Sequence, residues 1–465
     1  MGKPCIGGLM SCWRSVPATG LGSTRGYFFK MRMQSCQRYS RTILALMSMT
    51  LGAWGQSATE VHVVDSVTGK AVPDATVTLN GAVVAVDARG DYSVPAGAQV
   101  VMARAPGYRA VTLPVGDLTK QGGKLELTPF AVKGLYLSEY GIESNSIRDS
   151  ALGIIRAGGA NALVINIKSD HGFLIYPSEI PLAKSVGARS VTTVKSLPQL
   201  MQNGHAQGIY MIARIVTFKD NPLATSRPEL ALHLANGSLF KDGEHLGWTD
   251  PYRPEVRAYN IAIAVEAAKA GFDEIQFDYV RFPDAASKLR VSGPTDEPGR
   301  VKAITDFLKQ AKAALVPYNV FMSADIFGYV AWNSNDTGIG QQLDAVMKVV
   351  DYACPMLYPS GFKYGIPGHP KPMATNVDIY NTIKLTLDNA VRRTNANPKK
   401  FRPWLQAFRD YAFNRLVYGP EQVAAQTRAA ADVGTDGWLL WNPHNRYSDI
   451  GLGHAAAQTA TEAAR

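Results

Sequence analysis

Two aspartates in the second half of the chain lie near the ends of strand-like apolar runs. Asp278 falls in residues 274–281 and Asp325 in residues 321–327. Alternate side chains of a strand share a face, so each aspartate lies opposite the hydrophobic residues of its run. Glycoside cleavage uses two such carboxyls, one to protonate the leaving oxygen and one to attack the anomeric carbon or activate water. The sequence therefore predicts Asp325 as the acid and Asp278 as the nucleophile or base.

Other polar side chains share this alternation on neighbouring strands or stand at strand exits. They are Asn166, Lys168, Asp170, His171, Arg214, Arg281, Gln406 and Asn442. A charged side chain inside a ring of strands is costly unless it has a partner, so their convergence predicts a substrate-binding site. Lys168, Arg214 and Arg281 suggest an anionic or acylated glycan. The alternative is that Lys168 and Arg214 merely form ion pairs with the two aspartates and hold the strands together.

Aromatic residues accompany the polar ones. Tyr279, Trp332, Tyr358, Trp404 and Trp441 all lie on or just after the predicted strands. Sugar rings present apolar faces, and carbohydrate sites pair aromatic surfaces with hydrogen-bonding groups. These five residues are therefore predicted to contact substrate, above all Trp332, Tyr358 and Trp441, which fall at strand exits.

The runs that carry these residues alternate with helix-length stretches from about Lys133 onward. Eight strands are predicted, at residues 134–138, 162–168, 208–216, 274–281, 321–327, 352–358, 402–408 and 437–441. One intervening helix is predicted at residues 254–270, with proline in its first turn and Gly271 after its end. The pattern favours an α/β fold in which residues 132–465 form a (β/α)₈ TIM barrel. A doubly wound open sheet is less well supported, because no glycine-rich phosphate loop follows the first strand.

The region before the barrel has a different pattern. Residues 59–128 contain short alternating stretches separated by turn dipeptides such as Asn80-Gly81 and Arg89-Gly90. This predicts a small, antiparallel all-β sandwich domain without a catalytic constellation.

Residues 1–58 read as a leader with a signal peptide. They hold seven basic and no acidic residues, and the apolar stretch 42–54 precedes a predicted cleavage site after Gly55. The stretch is too short to cross a bilayer as a helix, so we predict an exported, periplasmic or secreted protein without a stable membrane anchor after cleavage. Three of the four cysteines fall in the leader, and Cys354 is predicted to be buried and unreactive.

The charge distribution argues against nucleic-acid partners. The chain carries a net charge of +10, and removal of the seven basic residues of the leader leaves +3. A nearly neutral body does not bind polyanions by charge alone. The eight histidines are scattered, without a spacing typical of metal sites. No metal and no cofactor is predicted, and the expected partner is a polysaccharide or oligosaccharide substrate.

Several phrases resemble a bacterial family of glycosyl hydrolase domains placed near the alpha-amylase-like barrels. They are VKGLYL at 132–137, NALVINIK at 161–168, GFDEIQFDYVRFP at 271–283, SADIFG at 323–328, PMLYPS at 355–360, RPWLQAF at 402–408 and GWLLWNP at 437–443. The resemblance implies a barrel and a glycosidase. Alpha-amylases differ in carrying an arginine where this chain has Gln276 and a glutamate at the position of Asp325, so starch-type chemistry is not expected. Residues 73–109 resemble carboxypeptidase-regulatory-like domains.

Two other functions fit the same residues. The first is a non-catalytic carbohydrate-binding barrel that has lost turnover, which differs from an enzyme in releasing no reducing ends. The second is an aldolase-like barrel that forms a Schiff base through Lys168. A catalytic lysine needs a depressed pKa, whereas Asp170 nearby would favour the charged form.

Overall fold

The computed structural model of the protein describes residues 59–95, 97–284 and 286–452. The predicted leader, its cleavage site and Cys5, Cys12 and Cys36 lie outside these residues. Cys354, the remaining cysteine, is completely buried, and burial raises the pKa of its thiol well above the ordinary value. The prediction of a buried thiol at this position is confirmed.

Seven strands form an N-terminal β domain. They are β1 (Thr59–Asp65), β2 (Thr76–Leu79), β3 (Ala82–Val83), β4 (Tyr92–Val94), β5 (Val100–Arg104), β6 (Val111–Pro114) and β7 (Lys124–Leu127). Two sheets, ordered β4-β1-β7 and β3-β2-β5-β6, bury their valines and leucines in one shared core. The predicted small β domain is confirmed. Its pairing is not wholly antiparallel, because β1 and β7 run parallel. All strands of the second sheet lie between β1 and β7 in the sequence, so no hairpin connects these two strands or sets their relative direction.

Eight parallel strands close into a barrel. They are β8 (Val132–Leu137), β9 (Ala162–Lys168), β10 (Tyr210–Val216), β11 (Glu274–Asp278), β12 (Phe321–Phe327), β13 (Tyr352–Met356), β14 (Trp404–Gln406) and β15 (Gly437–Trp441). The predicted (β/α)₈ barrel is confirmed. Some strands are shorter than predicted: β11 stops at Asp278 because Tyr279 has a φ of +47°, which a strand does not accommodate.

Helices connect the strands around the barrel. Helix α1 (Val115–Lys120) belongs to the β domain, and the others are α2 (Glu139–Glu143), α3 (Asn145–Arg156), α4 (Pro181–Ser185), α5 (Leu197–His205), α6 (Asn221–Ser226), α7 (Pro254–Ala270), α8 (Glu297–Leu315), α9 (Leu343–Met347), α10 (Asn376–Thr394) and α11 (Pro420–Val433). Helix α7 has its predicted bounds and ends at Gly271, whose φ is +102°. Within the described residues, no helix has both the length and the apolar character required to span a bilayer.

Side chains of the barrel strands alternate between two cores. Met322, Ala324 and Ile326 of β12 pack in the large core shared with the helices. The lumen contains a second cluster that includes Tyr136 and Trp404. The parity predicted for β12 is therefore correct, and it directs Asp325 inward.

A β-bulge reverses the direction predicted for Lys168. Asn166 of β9 pairs with Arg214 of β10, but Ile215 pairs with Lys168, so one extra residue lies between the two pairs. A one-residue shift sends the following side chains to the other face of a sheet. Lys168 Nζ lies 2.8 Å from Asp220 Oδ2 and donates to Asn260 Oδ1 of α7 at 2.9 Å. The predicted inward orientation of Lys168 is wrong for this reason.

The β domain packs against the N-terminal ends of the barrel strands. Arg104, at the end of β5, is 2% exposed, and its guanidinium lies 3.7 Å from a carboxylate oxygen of Asp351. The Gly107 amide donates to the Tyr352 hydroxyl at 3.1 Å, and the Asn319 amide donates to the Val111 carbonyl at 2.9 Å. Active sites of such barrels lie at the opposite, C-terminal end, so the β domain covers the end away from the predicted site.

Candidate active site

A cavity of about 250 Å³ lies at the C-terminal ends of the barrel strands. Nine of the fifteen predicted site residues line it: Asp170, Arg214, Asp278, Tyr279, Arg281, Asp325, Tyr358, Trp404 and Trp441. Phe277 of β11 pairs with Ala324 of β12, so Asp278 and Asp325 are the next residues on two adjacent strands. The two carboxyls are therefore brought to one cavity by the strand register.

Asp278 is held by an arginine on the neighbouring strand. Arg214 Nε donates to Asp278 Oδ2 at 3.0 Å, and Arg214 Nη2 donates to the same oxygen at 2.5 Å. Asp170 Oδ1 accepts from Arg214 Nη2 at 3.0 Å, and Asn166 Oδ1 accepts from Nη1 at 2.6 Å. Hydrogen bonds between a guanidinium and carboxylates are strong and directional, so Arg214 fixes the position of the Asp278 carboxyl in the cavity.

Asp325 has a different environment. It is 1% exposed; Oδ1 accepts from the Trp404 indole at 2.7 Å, whereas Oδ2 is buried with no hydrogen-bond partner among the described residues. Burial raises the pKa of Asp325 well above the ordinary carboxyl value, and the negative charge of Asp278 acts in the same direction. A carboxylic acid that keeps its proton near neutral pH can donate it to a leaving group.

The raised pKa of Asp325 gives a test of its predicted role as the acid. If Asp325 acts in its protonated form, kcat/KM should fall as the pH rises through this pKa. The Trp404 indole donates to the carboxylate form and lowers the pKa. Trp404→Phe should therefore raise the pKa and move the alkaline limb of the kcat/KM profile to higher pH. Trp438→Phe, in the core outside the lumen, serves as the matched control, and a limb that stays in place or moves to lower pH in Trp404→Phe would contradict the assignment.

Aromatic side chains form much of the remaining wall. Trp441 stacks on Tyr136 with ring centroids 3.9 Å apart, and the Arg214 guanidinium lies 5.0 Å from the Trp441 ring. The Arg281 guanidinium lies 5.4 Å from the Tyr279 ring and donates to the Phe282 carbonyl. The cavity thus combines flat apolar surfaces with charged groups, as carbohydrate sites do.

Six predicted residues do not line this cavity, and each has an identifiable place. Lys168 lies outside the barrel wall, and Asn166 reaches the site only through Arg214. The Trp332 indole donates to Thr386 of α10, and His171 is exposed beside Asp170. The Gln406 amide donates to the Ser360 hydroxyl at 2.7 Å, and the Asn442 amide donates to the Ala407 carbonyl at 2.6 Å.

The substrate contacts predicted for Lys168, Trp332, Gln406 and Asn442 therefore need correction. Gln406 bonds to Ser360 in the loop after β13, and Asn442 bonds to the Ala407 carbonyl after β14 and to the Arg446 carbonyl after β15. Trp332 anchors the segment after β12 to α10. Residues at strand exits enter loops whose direction strand parity does not determine, and a polar side chain there commonly bonds to the nearby backbone.

The sequence interpretation missed other residues that line the cavity or contact its wall. Tyr136 does not line the cavity, but it shares the inward parity of β8 and stacks on Trp441, so alternation alone could have found it. Phe327 continues the parity of Asp325 and is 46% exposed at the cavity. Gln341 comes from a loop; its side chain donates to the Asp325 carbonyl at 3.0 Å and accepts from the Phe327 amide at 2.9 Å. No sequence pattern marked Gln341.

The geometry bears on two of the alternative interpretations. A network of satisfied ion pairs accounts for Arg214 with Asp278, but it does not include the unpartnered oxygen of Asp325. For the Schiff-base interpretation, burial lowers the pKa of Lys168, and the partner of this lysine is Asp220 rather than Asp170. Lys168 is completely buried and does not line the cavity, so no carbonyl substrate bound there reaches its amine.

Among the described residues, one group of side chains could share a metal ion. Glu60, His62 and Asp91 meet on the surface of the β domain. Arg89 Nη2 already donates to Glu60 at 2.6 Å, and His62 Nδ1 lies 2.5 Å from Asp91 Oδ1. The group is therefore an ordinary ionic surface cluster, remote from the barrel cavity.

Comparisons with known proteins identify the barrel. A family model described as "Putative glycosyl hydrolase domain" matches residues 134–447. A hypothetical protein from Ruminiclostridium thermocellum ATCC 27405 is similar at 35% identity over 41% of this chain and 96% of its own, with a TM-score of 0.36. The PgaB (BpsB) glycoside hydrolase domain from Bordetella bronchiseptica is 14% identical over 71% of this chain and 98% of its own, with a TM-score of 0.51.

One further solved structure is similar at lower identity. A beta-galactosidase from the psychrophilic Marinomonas ef1 is 11% identical over 71% of this chain and 59% of its own, with a TM-score of 0.49. No curated protein matches the chain. The resemblance of the β domain to carboxypeptidase-regulatory-like domains stays a prediction. Because the family match extends from β8 to beyond β15 and covers well over half of the sequence, the chain belongs to the glycosyl hydrolase domain family.

Proposed function

We propose that the protein hydrolyses an O-glycosidic bond of an oligosaccharide or polysaccharide bound in the barrel cavity. The observation that carries the proposal is the contrast between the two aspartates. Asp278 accepts two hydrogen bonds from Arg214, whereas Asp325 is buried, has a raised pKa and has one oxygen without a partner among the described residues. A buried carboxyl with a raised pKa, beside a second carboxyl that an arginine holds in place, is the pair that this reaction requires.

In the proposed reaction, Asp325 donates its proton to the glycosidic oxygen as the bond from that oxygen to the anomeric carbon breaks. Asp278 either attacks the anomeric carbon or removes a proton from a water molecule that attacks it. Arg214 orients Asp278 and balances its charge. The Asp325 carboxylate formed in the first step then recovers a proton, directly from the attacking water in the route with a covalent intermediate.

The remaining wall of the cavity suits a sugar ring. Trp441 and Tyr358 offer aromatic surface. Arg281 offers a cation that donates to the Phe282 carbonyl and lies 3.7 Å from the exposed carboxylate of Asp284. Arg281 is the cation that supports the earlier suggestion of an anionic or acylated sugar, since Lys168 lies elsewhere and Arg214 is engaged by two aspartates. We therefore include uronic-acid and N-acetylated polymers among the substrates to be tested.

The test is release of reducing ends from soluble polysaccharides of different chemistry: hyaluronan, alginate, glycol chitosan, barley β-glucan and pullulan. We expect release from at least one of them by the native protein and none by Asp325→Asn. The competing function, a carbohydrate-binding barrel without turnover, gives retention of a polymer in affinity electrophoresis without release. Retention without release by the native protein would establish that second function instead.

Export is the other part of the proposal. It rests on the basic and apolar pattern of residues 32–55, outside the described residues. Expression of the full chain in a bacterial host and N-terminal sequencing of the product test it. We expect the mature chain to begin at Gln56, in the periplasm or the medium; an uncleaved product in the cytoplasm would contradict the proposal.

A further inference from the structure

A second cavity adjoins the first. It has a volume of about 560 Å³ and shares Phe327 and Arg281 with the cavity that holds the two aspartates. Tyr329, Tyr364 and Asn335 also line it. We call this second cavity the side groove. Since Phe327 and Arg281 line both, the two cavities lie side by side, and a chain of several sugar units bound at the aspartates would have the side groove as its neighbour.

The side groove presents aromatic surface that nothing in the described chain covers. Tyr364 is 88% exposed, and Phe327 is 46% exposed. Exposed aromatic side chains beside a polar rim favour a ligand with apolar faces and hydroxyl groups. Sugar rings have both features.

The walls of the side groove are held in place without a ligand. The Tyr329 hydroxyl donates to the Gly365 carbonyl at 3.1 Å and accepts from the Tyr364 amide at 3.0 Å, which fixes the segment carrying Tyr364. Asp336 lies in the chain between Asn335 and Thr337, which line the groove; it is 1% exposed and accepts from Arg300 of α8 at 2.7 and 2.9 Å, which holds this segment in place. A site formed before binding loses less conformational entropy when a ligand arrives.

We propose that the side groove binds the sugar units of the substrate that follow the bond being cleaved, so that the enzyme acts on chains of several units. This inference deepens the proposed hydrolase function and rests on it for the identity of the ligand. Tyr364 and Phe327 stack on the sugar rings, and Asn335 and Arg281 bond to their hydroxyl or substituent groups. The occupant is the continuation of the chain held by Asp278 and Asp325.

The test measures polymer binding apart from cleavage. In an Asp325→Asn background, affinity electrophoresis is run in gels that contain hyaluronan, alginate, glycol chitosan, β-glucan or pullulan. We expect at least one polymer to retard the protein and Tyr364→Ala to weaken that binding about 3- to 10-fold, the range of one aromatic contact. The matched control is Tyr140→Ala, which removes a tyrosine that is 62% exposed and lines neither cavity. Tyr140→Ala should change the affinity less than twofold.

Two results would overturn the side-groove proposal: retardation by none of the five polymers, or equal affinity of Tyr364→Ala and the control. Reducing-end release by the native protein is scored separately. If the native protein releases reducing ends but Tyr364→Ala binds the polymer as tightly as the control, the side-groove proposal is rejected and the hydrolase function is retained. Binding that depends on Tyr364 without release supports the side groove as a carbohydrate site and rejects the hydrolase function.

Discussion

Asp325→Asn and Asp278→Asn should each lower kcat by about 10²- to 10⁴-fold, the contribution typical of a general acid or base. Both changes remove a carboxyl from the cavity while keeping the size of the side chain. Neither should unfold the barrel: within the described residues Asp325 forms no salt bridge that its replacement would break, and Arg214 keeps its salt bridge to Asp170 when Asn replaces Asp278. Thermal unfolding of each variant checks this point, and Asp149→Asn, on the exposed face of α3, is the control for kcat.

The leaving group distinguishes the two roles. A substrate with a good leaving group, such as a dinitrophenyl glycoside, needs little protonation of that group. On such a substrate, the kcat of Asp325→Asn should therefore come close to that of the native protein. Asp278→Asn should not recover, because a nucleophile or base is still required. Full activity of Asp278→Asn on any polysaccharide, or equal recovery of both variants, would reject the assignment.

Lys168→Met should lower the free energy of unfolding by about 3–5 kcal/mol, the usual effect of breaking a buried ion pair by removing one partner. Lys168 and Asp220 are both completely buried, and their nitrogen and oxygen atoms lie 2.8 Å apart. The variant leaves the Asp220 carboxylate without its cation between the barrel wall and α7. Urea unfolding monitored by tryptophan fluorescence measures the difference.

A double-mutant cycle attributes the loss to the pair. Asp220→Asn keeps the side-chain oxygen that accepts from the Leu223 amide at the start of α6, and it removes the charge. The double variant Lys168→Met/Asp220→Asn should therefore be more stable than Lys168→Met alone. Lys269→Met, on an exposed position of α7, should change stability by less than about 0.5 kcal/mol. A stable but inactive Lys168→Met protein would instead favour a catalytic lysine.

Strand parity predicted the centre of the site because β10, β11 and β12 are regular at Arg214, Asp278 and Asp325. There, each residue points to the face opposite its neighbours, and the sequence alone was sufficient. The same rule failed at Lys168, because a single extra residue in the pairing of β9 with β10 changes the direction of the next side chain. Such a bulge has no signature in this part of the sequence.

Loop residues were beyond the reach of that rule. Trp332 and Asn442 follow strands closely in sequence and Gln406 is the last residue of β14, but their side chains bond to α10 or to nearby loops. Conversely, strand parity could not find the residues of the side groove. Tyr364 and Asn335 come from the loops after β13 and β12, are distant in the sequence and line the same groove only in the folded chain. Hydrophobic periodicity identifies elements, and it carries little information about the paths between them.

The position of the β domain has a mechanical consequence. Arg104 and Gly107 of that domain bond to Asn319 and Tyr352, beside the first residues of β12 and β13. A protein shortened to begin at Val132 would leave Asn319 and Tyr352 without these hydrogen-bond partners. It would also expose the N-terminal end of the barrel, which the β domain now covers. The β domain and the barrel should consequently unfold in one cooperative transition. The β domain then serves to stabilise the N-terminal end of the barrel rather than to bind substrate as a separate, flexibly linked domain.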